Sequence, residues 1–335
     1  MESLLERLSA VRALLESAAP RTTAGMAWPS EVRRVRALLQ DAAVELADIE
    51  RATTGLSPTR PLDVYRAEID RFNAGQGNHQ LLDAIRAYNH TIIDALHQIH
   101  PMSGLSVLDL GASPHGYAME RALELGVASY IGIGLDVDDP VSVRGPAGLG
   151  TLRNENAEEL TFADASFDLI VSMSTFEHVA HVDRVLREIQ RVLKPGGQAL
   201  VTFEPVWTCS YGHHLHHFGE VALCVPDWQH LIWTRAEMSA ALANVWPADA
   251  TPTLAEAVAW TYDSHAINRI GIREMREYFA RAPLKLEWIT PLMDAPRDPD
   301  RLAFVSRTVG LTEDELMTKG LTALLTRPDT PQAIS

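Results

Sequence analysis

Histidine is concentrated in one short stretch of this chain. Four of its 13 histidines, His213, His214, His216 and His217, fall within five consecutive residues. Imidazole gains or loses a proton near neutral pH, and it also binds divalent metals. The spacing permits three interpretations: a general base among His213, His214 and His217, a metal site completed by carboxylates, or a structural cluster hydrogen-bonded to the backbone.

Further ionisable groups lie near this cluster in the sequence. Glu204 precedes it and Glu220 follows it, so either carboxylate could bind a metal together with the histidines. If the cluster is catalytic, Glu204 or His178 would orient the base. His178 is itself a candidate base or substrate contact, with a structural role at a helix start as the alternative. The stretch 225–233 adds two tryptophans, a surface that packs well on sugars or rings.

A second chemistry-bearing stretch is 107–117, which reads VLDLGASPHGY. An apolar run with an acid, Asp109, leads into a turn that contains Gly111 and Gly116, and helix-forming residues follow. Glycine lets such a turn be tight and lets a ligand approach the backbone. The positive end of the following helix would face the ligand. The stretch therefore predicts the first βα unit of a nucleotide-binding α/β domain.

Alternating strands and helices must position these residues. The sequence predicts strands at 105–110, 128–135, 167–173 and 198–204, with helices at 117–125 and 181–193 between them. This alternation indicates a parallel sheet covered on both faces. Further predicted elements are a strand at 284–291, helices near 299–307 and 312–318, and a strand near 320–326, which would close the sheet edge.

The chain divides into residues 1–100 and 101–335. The first part has helical periodicity, including helices at 62–73 and 78–99, and predicts a cap or dimerisation arm. The alternative is that a residue of this arm reaches the active site, for which the candidates are His79, Tyr88, Asn89 and His90. Within the second part, 205–275 reads as an irregular insertion, rich in His and Trp, that would form a substrate pocket.

Composition narrows the function classes. The formal net charge of −15 disfavours a general nucleic-acid-binding surface, and two cysteines disfavour a disulfide scaffold or a cysteine-rich zinc site. We see neither a signal peptide nor a membrane span in the sequence, so the expected location is the cytoplasm.

Four stretches together resemble the class I S-adenosylmethionine-dependent methyltransferases. They lie in the expected order: 107–113 (VLDLGAS), 130–136 (YIGIGLD), 156–172 (NAEELTFADASFDLIVS), and 176–179 (FEHV) followed by 186–197 (LREIQRVLKPGG). The resemblance implies a Rossmann-like fold with a seven-stranded, mostly parallel sheet and a helical N-terminal extension. It also implies S-adenosylmethionine as cofactor and S-adenosylhomocysteine as product.

The resemblance assigns cofactor contacts residue by residue. Asp109 would attract the ammonium of the methionine tail, Asp136 would accept the ribose hydroxyls, and Asn156 would read the adenine edge. The remaining implied contacts are Gly111, Ala112, Ser113, Gly116, Ala157, Ser172 and Met173.

Two departures from the family pattern affect this assignment. Gly134 occupies the usual position of the ribose-binding acid, so Asp136, two residues on, is the substitute and Asp138 the fallback. Ser113 and His115 replace glycines of the first loop. A nicotinamide-dependent dehydrogenase is the rival class, but its second loop glycine is missing here.

The expected activity is O-methylation of a small polar acceptor, such as a sugar or a specialised metabolite, with a histidine base. N- or C-methylation and a catalytically silent cofactor-binding or scaffold protein are the alternatives. No nucleic-acid or membrane partner is expected, a homodimer through the N-terminal helices is possible, and a divalent metal is the less favoured cofactor.

Overall fold

A computed structural model of the protein describes residues 59–138, 140–294 and 298–329. The predicted helices before residue 59 lie outside these ranges. Almost all of the described residues belong to one compact unit, Arg60–Asp138 with Val143–Ser335, and the fold and the site are described for this unit. No helix in the described ranges is long and apolar enough to cross a membrane.

One mixed sheet forms the centre of this unit. Its strands are β1 (Arg60–Pro61), β2 (Ser106–Leu110), β3 (Ser129–Gly134), β4 (Val141–Arg144), β5 (Leu149–Asn154), β6 (Phe167–Met173), β7 (Leu193–Phe203), β8 (Lys285–Met293) and β9 (Thr318–Thr326). Their order is β1-β4-β5-β3-β2-β6-β7-β9-β8. The pairs from β5 through β7 are parallel, whereas β9 runs antiparallel to both β7 and β8.

The described sheet has nine strands, so the predicted number of seven is wrong. The additional pairings involve β1, which spans two residues, and the short strand β4. The predicted strands at 105–110, 128–135, 167–173 and 198–204 correspond to β2, β3, β6 and β7. The predicted closing pair at the sheet edge corresponds to β8 and β9.

Helices cover both faces of the central strands. They are α1 (Leu62–Ala74), α2 (His79–Ile99), α3 (Tyr117–Glu124), α4 (Val182–Val192), α5 (Arg235–Leu242), α6 (Leu254–Asp263), α7 (Ile272–Arg281), α8 (Pro299–Val309) and α9 (Glu313–Met317). Helix α4 shows why they dock: Val182, Val185, Leu186, Ile189 and Val192 are all buried. Because these residues recur every three or four positions, one apolar stripe faces the sheet.

The stretch 205–275 is more regular than predicted. It contains two 3₁₀ segments, Leu215–Cys224 and Gln229–Leu231, and then α5 and α6. Both helices begin with a capping box, in which the Thr234 or Thr253 hydroxyl accepts from the backbone N–H of Glu237 or Glu256. The Thr-x-x-Glu spacing therefore indicates both helix N-termini in the sequence, and this pattern was not used in the prediction.

Candidate functional site

The loop after β2 is tied to the end of β3. The backbone N–H groups of Gly111 and Ala112 both donate to the carbonyl of Ile133 at 2.8 Å. Gly116 then begins α3 from the left-handed region, at φ 62°. The loop thus lies at the carboxyl edge of the parallel strands, where α/β folds place their ligands.

Neighbouring protein side chains explain why two of the loop residues are glycine. Gly111 has φ 79°, and a Cβ there would overlap the side chain of Thr175. A Cβ on Gly116 would overlap the hydroxyl of Tyr65, which belongs to α1 and donates to the carbonyl of His115 at 2.8 Å. Close packing of the loop against α1 and the end of β6 therefore requires glycine at both positions.

Asp109 is the buried acid of β2. Its side chain is 2% exposed, and its Oδ2 accepts a hydrogen bond from the Tyr130 hydroxyl at 2.6 Å. Its Oδ1 has no partner among the described residues. Burial raises the pKa of Asp109 to about 7, and the Tyr130 hydrogen bond only partly opposes this shift. This carboxyl can gain both a charge and a hydrogen bond when a cationic group approaches.

The predicted ribose site lies past the end of β3. A Cβ at Gly134 would stand only 2.9 Å from the carbonyl oxygen of Ala112, which explains why no acid occupies that position. The strand ends at Gly134, so Asp136 lies in the following turn. Asp136 and Asp138 are both exposed. Asp136 is close enough to His115 to oppose the lowering of its pKa by burial.

The other predicted cofactor contacts divide into free and occupied groups. Asn156 is exposed, with its Oδ1 accepting from the Glu158 N–H at 3.0 Å, which leaves its amide NH₂ for an adenine edge. Ala157 is half-buried beside it. Ser172 is fully buried and donates to the carbonyl of Leu110 at 3.0 Å. Its hydroxyl joins β6 to β2, so the prediction that this side chain lines the methionine end is not supported by its geometry. Met173, the other residue predicted there, is the last residue of β6.

Tyr88 brings α2 to the same sheet edge. Its phenol is hydrogen-bonded to the side chains of Thr202 and Ser174, which lie at the ends of β7 and β6. Burial raises the pKa of Tyr88, and the charges of Glu204 and Glu177 raise it further. Of the four arm residues suggested by the sequence, Tyr88 is thus the one whose contacts bring it to the candidate site.

Glu177 and His178 follow β6 directly. Glu177 is 2% exposed and its Oε2 has no partner in the described part of the chain. Burial raises its pKa well above the usual range, and the charge of Glu204 adds to this effect. Burial therefore favours the neutral form of this carboxyl. Its other oxygen, Oε1, lies 3.8 Å from Nε2 of His178.

The orientation of His178 fixes its tautomer. Its Nδ1 lies 2.5 Å from the carbonyl of Ala266, so Nδ1 carries the proton and donates it. Nε2 of the neutral ring is left with a free lone pair. Burial lowers the pKa of His178, although its side chain remains 34% exposed. His178 is thus a proton acceptor within reach of solvent and of a ligand.

The histidines of the 213–217 cluster have different environments. His213 is 2% exposed, and its Nδ1 accepts from the Leu215 N–H at 3.0 Å, so Nε2 must carry the proton in the neutral ring. His214 is fully buried, donates from Nδ1 to the Gly212 carbonyl at 2.7 Å, and leaves Nε2 without a partner in the described ranges. Burial lowers the pKa of His214 to about 3, so it is a weak base.

His217 is exposed, with its ring 4.2 Å from that of His216 and 6.1 Å from that of His214. Glu204, the predicted orienting acid, pairs instead with Lys319 at 2.8 Å. Glu220 is exposed. Across residues 59–138, 140–294 and 298–329, no three His, Cys, Asp or Glu side chains are placed to hold a metal ion.

Asn268 is a site residue that the sequence analysis did not single out. Its Nδ2 donates to the carbonyls of Phe176 and Val179, at 2.6 and 3.1 Å. Its own N–H donates to the carbonyl of Glu177 at 3.1 Å. The segment 264–270 is thereby held against the turn that carries Glu177 and His178. No local sequence pattern indicated this long-range contact.

Residues 108–201 match the family described as a methyltransferase domain. An uncharacterized methyltransferase of Mycolicibacterium vanbaalenii is 36% identical over 117 residues, which cover 33% of this chain and 44% of that relative. The ubiquinone/menaquinone biosynthesis C-methyltransferase UbiE of Brucella anthropi is 33% identical over 96 residues, 29% of each chain. The chain therefore spans less than half the length of these relatives.

Among solved structures, the S-adenosylmethionine-dependent methyltransferase of Mesorhizobium loti is similar with a TM-score of 0.41 and 17% identity, covering 68% of this chain and 93% of that one. The domain match coincides with the strands and loops described above, from β2 to β7. The core of this chain is thus similar to a methyltransferase domain, and its alternating strands and helices form a Rossmann-like α/β fold.

Proposed function

We propose that this protein transfers the methyl group of S-adenosylmethionine to a hydroxyl of a small polar acceptor, with Nε2 of His178 as the general base. One observation carries the proposal: the buried acid of β2, Asp109, has an oxygen without a partner among the described residues, at the strand that leads into the glycine loop. A buried polar atom without a partner is costly unless a ligand completes it.

The residues present fit this cofactor. Asp109 would hold the ammonium of the methionine tail, and the exposed carboxylate of Asp136 would accept the ribose hydroxyls. The free amide of Asn156 would donate to the adenine edge. The bound cofactor supplies a methyl group already activated on a positively charged sulfur.

The remaining task of the protein is to orient the acceptor and remove its proton. The hydroxyl of the acceptor would give its proton to Nε2 of His178 as its oxygen takes up the methyl group that the bound cofactor would supply. His178 suits this role better than His213, whose Nε2 already carries a proton, or His214, whose pKa is about 3.

Two contacts at the sheet edge support the same chemistry. Asn268 holds the segment 264–270 against the Glu177–His178 turn, and Tyr88 of α2 reaches the ends of β6 and β7. Both would help to orient an acceptor there.

The test compares His178→Ala with His217→Ala in an assay of S-adenosylhomocysteine formation from metabolite pools. We expect His178→Ala to lower turnover by about 10²- to 10⁴-fold, the usual contribution of a general base, with cofactor affinity by calorimetry unchanged. The exposed His217 serves as the control and should retain turnover. Equal turnover in both variants would remove His178 from the mechanism.

C-methylation is the second candidate, because one relative is named as a C-methyltransferase. N-methylation and a cofactor-binding protein without turnover stay as further alternatives. Mass spectrometry of the methylated product distinguishes the acceptor atoms. A folded sample that does not bind S-adenosylmethionine or S-adenosylhomocysteine in calorimetry would contradict the proposal as a whole.

A further inference from the structure

A cavity of about 760 Å³ opens beside the carboxyl end of β7. Its described lining comes from two distant parts of the chain: residues between 204 and 227, and the three residues Asp294, Asp298 and Arg301. The polar side chains that matter here are those of Glu204, Ser210, His213, Asp227, Asp294 and Arg301. The volume falls within the range of small-molecule sites in proteins.

The cavity borders the candidate active site through Glu204. This residue lines the cavity, and its charge also contributes to raising the pKa values of Glu177 and Tyr88. Burial is the larger cause of both shifts. Glu204 directly follows Phe203, the last residue of β7, so a ligand in the cavity would lie at the carboxyl end of that strand.

Negative charge dominates the lining. Among the described lining residues are four acids, Glu204, Asp227, Asp294 and Asp298, and one arginine, Arg301. The guanidinium of Arg301 donates to the carbonyl of Asp227 at 2.7 Å and to Oε1 of Gln229 at 2.6 Å, so backbone and amide oxygens occupy it.

The lining carboxylates differ in the hydrogen bonds and ion pairs that they already make with the protein. Lys319 pairs with Glu204 at 2.8 Å, and the Ser210 hydroxyl donates to Asp294 at 3.0 Å. Asp298 accepts from the Arg301 N–H at 3.0 Å as the cap of α8. The side chain of Asp227 has no such contact within the described ranges.

His213 adds an independent polar group to this wall. It is 2% exposed and lines the cavity, and its Nδ1 is taken by the Leu215 N–H at 3.0 Å. Nε2–H is consequently the polar group that the ring can present to a ligand, and within the described part of the chain it has no hydrogen-bond partner. A buried donor of this kind is completed by a ligand oxygen.

We propose that this cavity binds the acceptor, and that the acceptor is a hydroxylated amine carrying a protonated amino group, such as an amino sugar. The ammonium would pair with the carboxylates around Asp227, and an oxygen of the same molecule would accept from His213. Anionic acceptors would be repelled by the lining. This inference rests on the proposed function, because it names the substrate class of that same reaction.

The test is calorimetry on the full chain with three matched probes: glucosamine, glucose and N-acetylglucosamine. We expect glucosamine to bind at least about tenfold more tightly than either neutral sugar, and its affinity to fall as NaCl is added. Asp227→Asn should weaken glucosamine binding about tenfold. Asp249→Asn, which removes the same charge at an exposed position away from the cavity lining, is the matched control.

Equal affinities for the three sugars, or no binding of glucosamine, would overturn the inference. The same would follow if Asp249→Asn weakened glucosamine binding as much as Asp227→Asn. S-adenosylhomocysteine binding is measured on the same samples. If that binding is intact while the sugars fail to discriminate, the substrate class is wrong; if it is absent, the proposed methyl transfer itself fails.

Discussion

Two buried carboxyls define the candidate site at the scale of single residues. Asp109 and Glu177 are each 2% exposed, and each has one oxygen without a partner in the described ranges. Burial raises the pKa values of both. They differ in their surroundings, because Asp109 has the Tyr130 hydroxyl beside it, whereas Glu177 has Nε2 of His178 at 3.8 Å.

Cofactor affinity should depend on the ionisation of Asp109. Its pKa is about 7 without a ligand, and an ammonium would stabilise the ionised form, so binding releases a proton below that pH. We expect affinity to rise about tenfold from about pH 6 to pH 8. Asp109→Asn should remove this rise and weaken binding. Calorimetry with both proteins isolates the effect, because the cofactor's own titration is common to them; parallel profiles would contradict it.

Glu177→Gln should stabilise the protein at about pH 8. Burial raises the pKa of this carboxyl above its value of about 4.5 in the unfolded chain, so the folded state binds the proton more tightly and wild-type stability from this group falls as pH rises. We expect the free energy of unfolding in urea to rise by about 1 kcal/mol or more. Glu158→Gln is the control: its carboxylate accepts from the N–H groups of Ala180 and His181, so this change should destabilise. Loss of stability in both variants would refute the neutral form.

The sequence identified Asp109 because the family pattern places an acid there. It could not show which histidine is the best candidate for a general base, because that depends on which ring nitrogen is hydrogen-bonded. The Gly212 carbonyl accepts from Nδ1 of His214, and the Leu215 N–H donates to Nδ1 of His213. Each partner lies two residues from its histidine in the sequence. Local backbone geometry, which residue types do not reveal, separates a donor from an acceptor.

At the scale of elements, one buried glutamate joins three helices. Glu120 of α3 is 1% exposed and accepts from Arg66 of α1 at 2.7 Å and from Arg86 of α2 at 2.9 Å. Burial alone would raise its pKa, but the hydrogen bonds from Arg86 and Arg66, together with the His90 ring 3.5 Å away, outweigh burial and lower the pKa to about 2. The arm helices are thereby attached to the helix that follows the glycine loop.

Glu120→Ala should be strongly destabilising, because it removes the buried carboxylate that Arg66 and Arg86 share. We expect a loss of about 3 kcal/mol in the free energy of unfolding. The half-exposed pair of Glu68 with Arg60, at 3.0 Å, provides the control. Glu68→Ala should cost less than about 1 kcal/mol. Equal losses would show that Glu120 does not hold the helices together.

Strong periodicity decided which elements could be predicted. The apolar runs of β2 and β6 and the stripe of α4 gave the correct elements. Strands β4 and β5 were missed because they are short and surround Gly145, Pro146 and Gly148, which indicate a loop. Their strand character depends on pairing with neighbours, and β5 pairs with β3 along its whole length.

At the scale of the molecule, some buried acids make the protein more stable as pH rises, and others make it less stable. Glu120 and Glu315 have pKa values lowered to about 2, the latter mainly through its hydrogen bonds with Arg273. Their stabilisation is complete above about pH 4.5 and is lost as pH falls towards 2. Asp109 has the opposite effect, because its contribution to the free energy of unfolding is lost as pH rises from about 4 to 7.

We therefore expect the free energy of unfolding to be greatest at mildly acidic pH. Urea titrations between about pH 3 and pH 8 would measure it. Asp109→Asn should flatten the decline towards neutral pH and leave the acid side unchanged. Glu120→Ala should flatten the decline on the acid side and leave the decline towards neutral pH unchanged. A maximum that does not move in either variant would contradict this assignment.

The position of β9 has a consequence for biosynthesis. This strand lies between β7 and β8, although it is made after both of them. A ribosome-bound chain that has not yet released Thr318–Thr326 therefore presents an unpaired, apolar edge along β7, and Glu204 has not met Lys319. Such an edge invites association with other nascent chains. Chaperone protection during synthesis is thus most valuable in the interval between the emergence of β7 and that of β9.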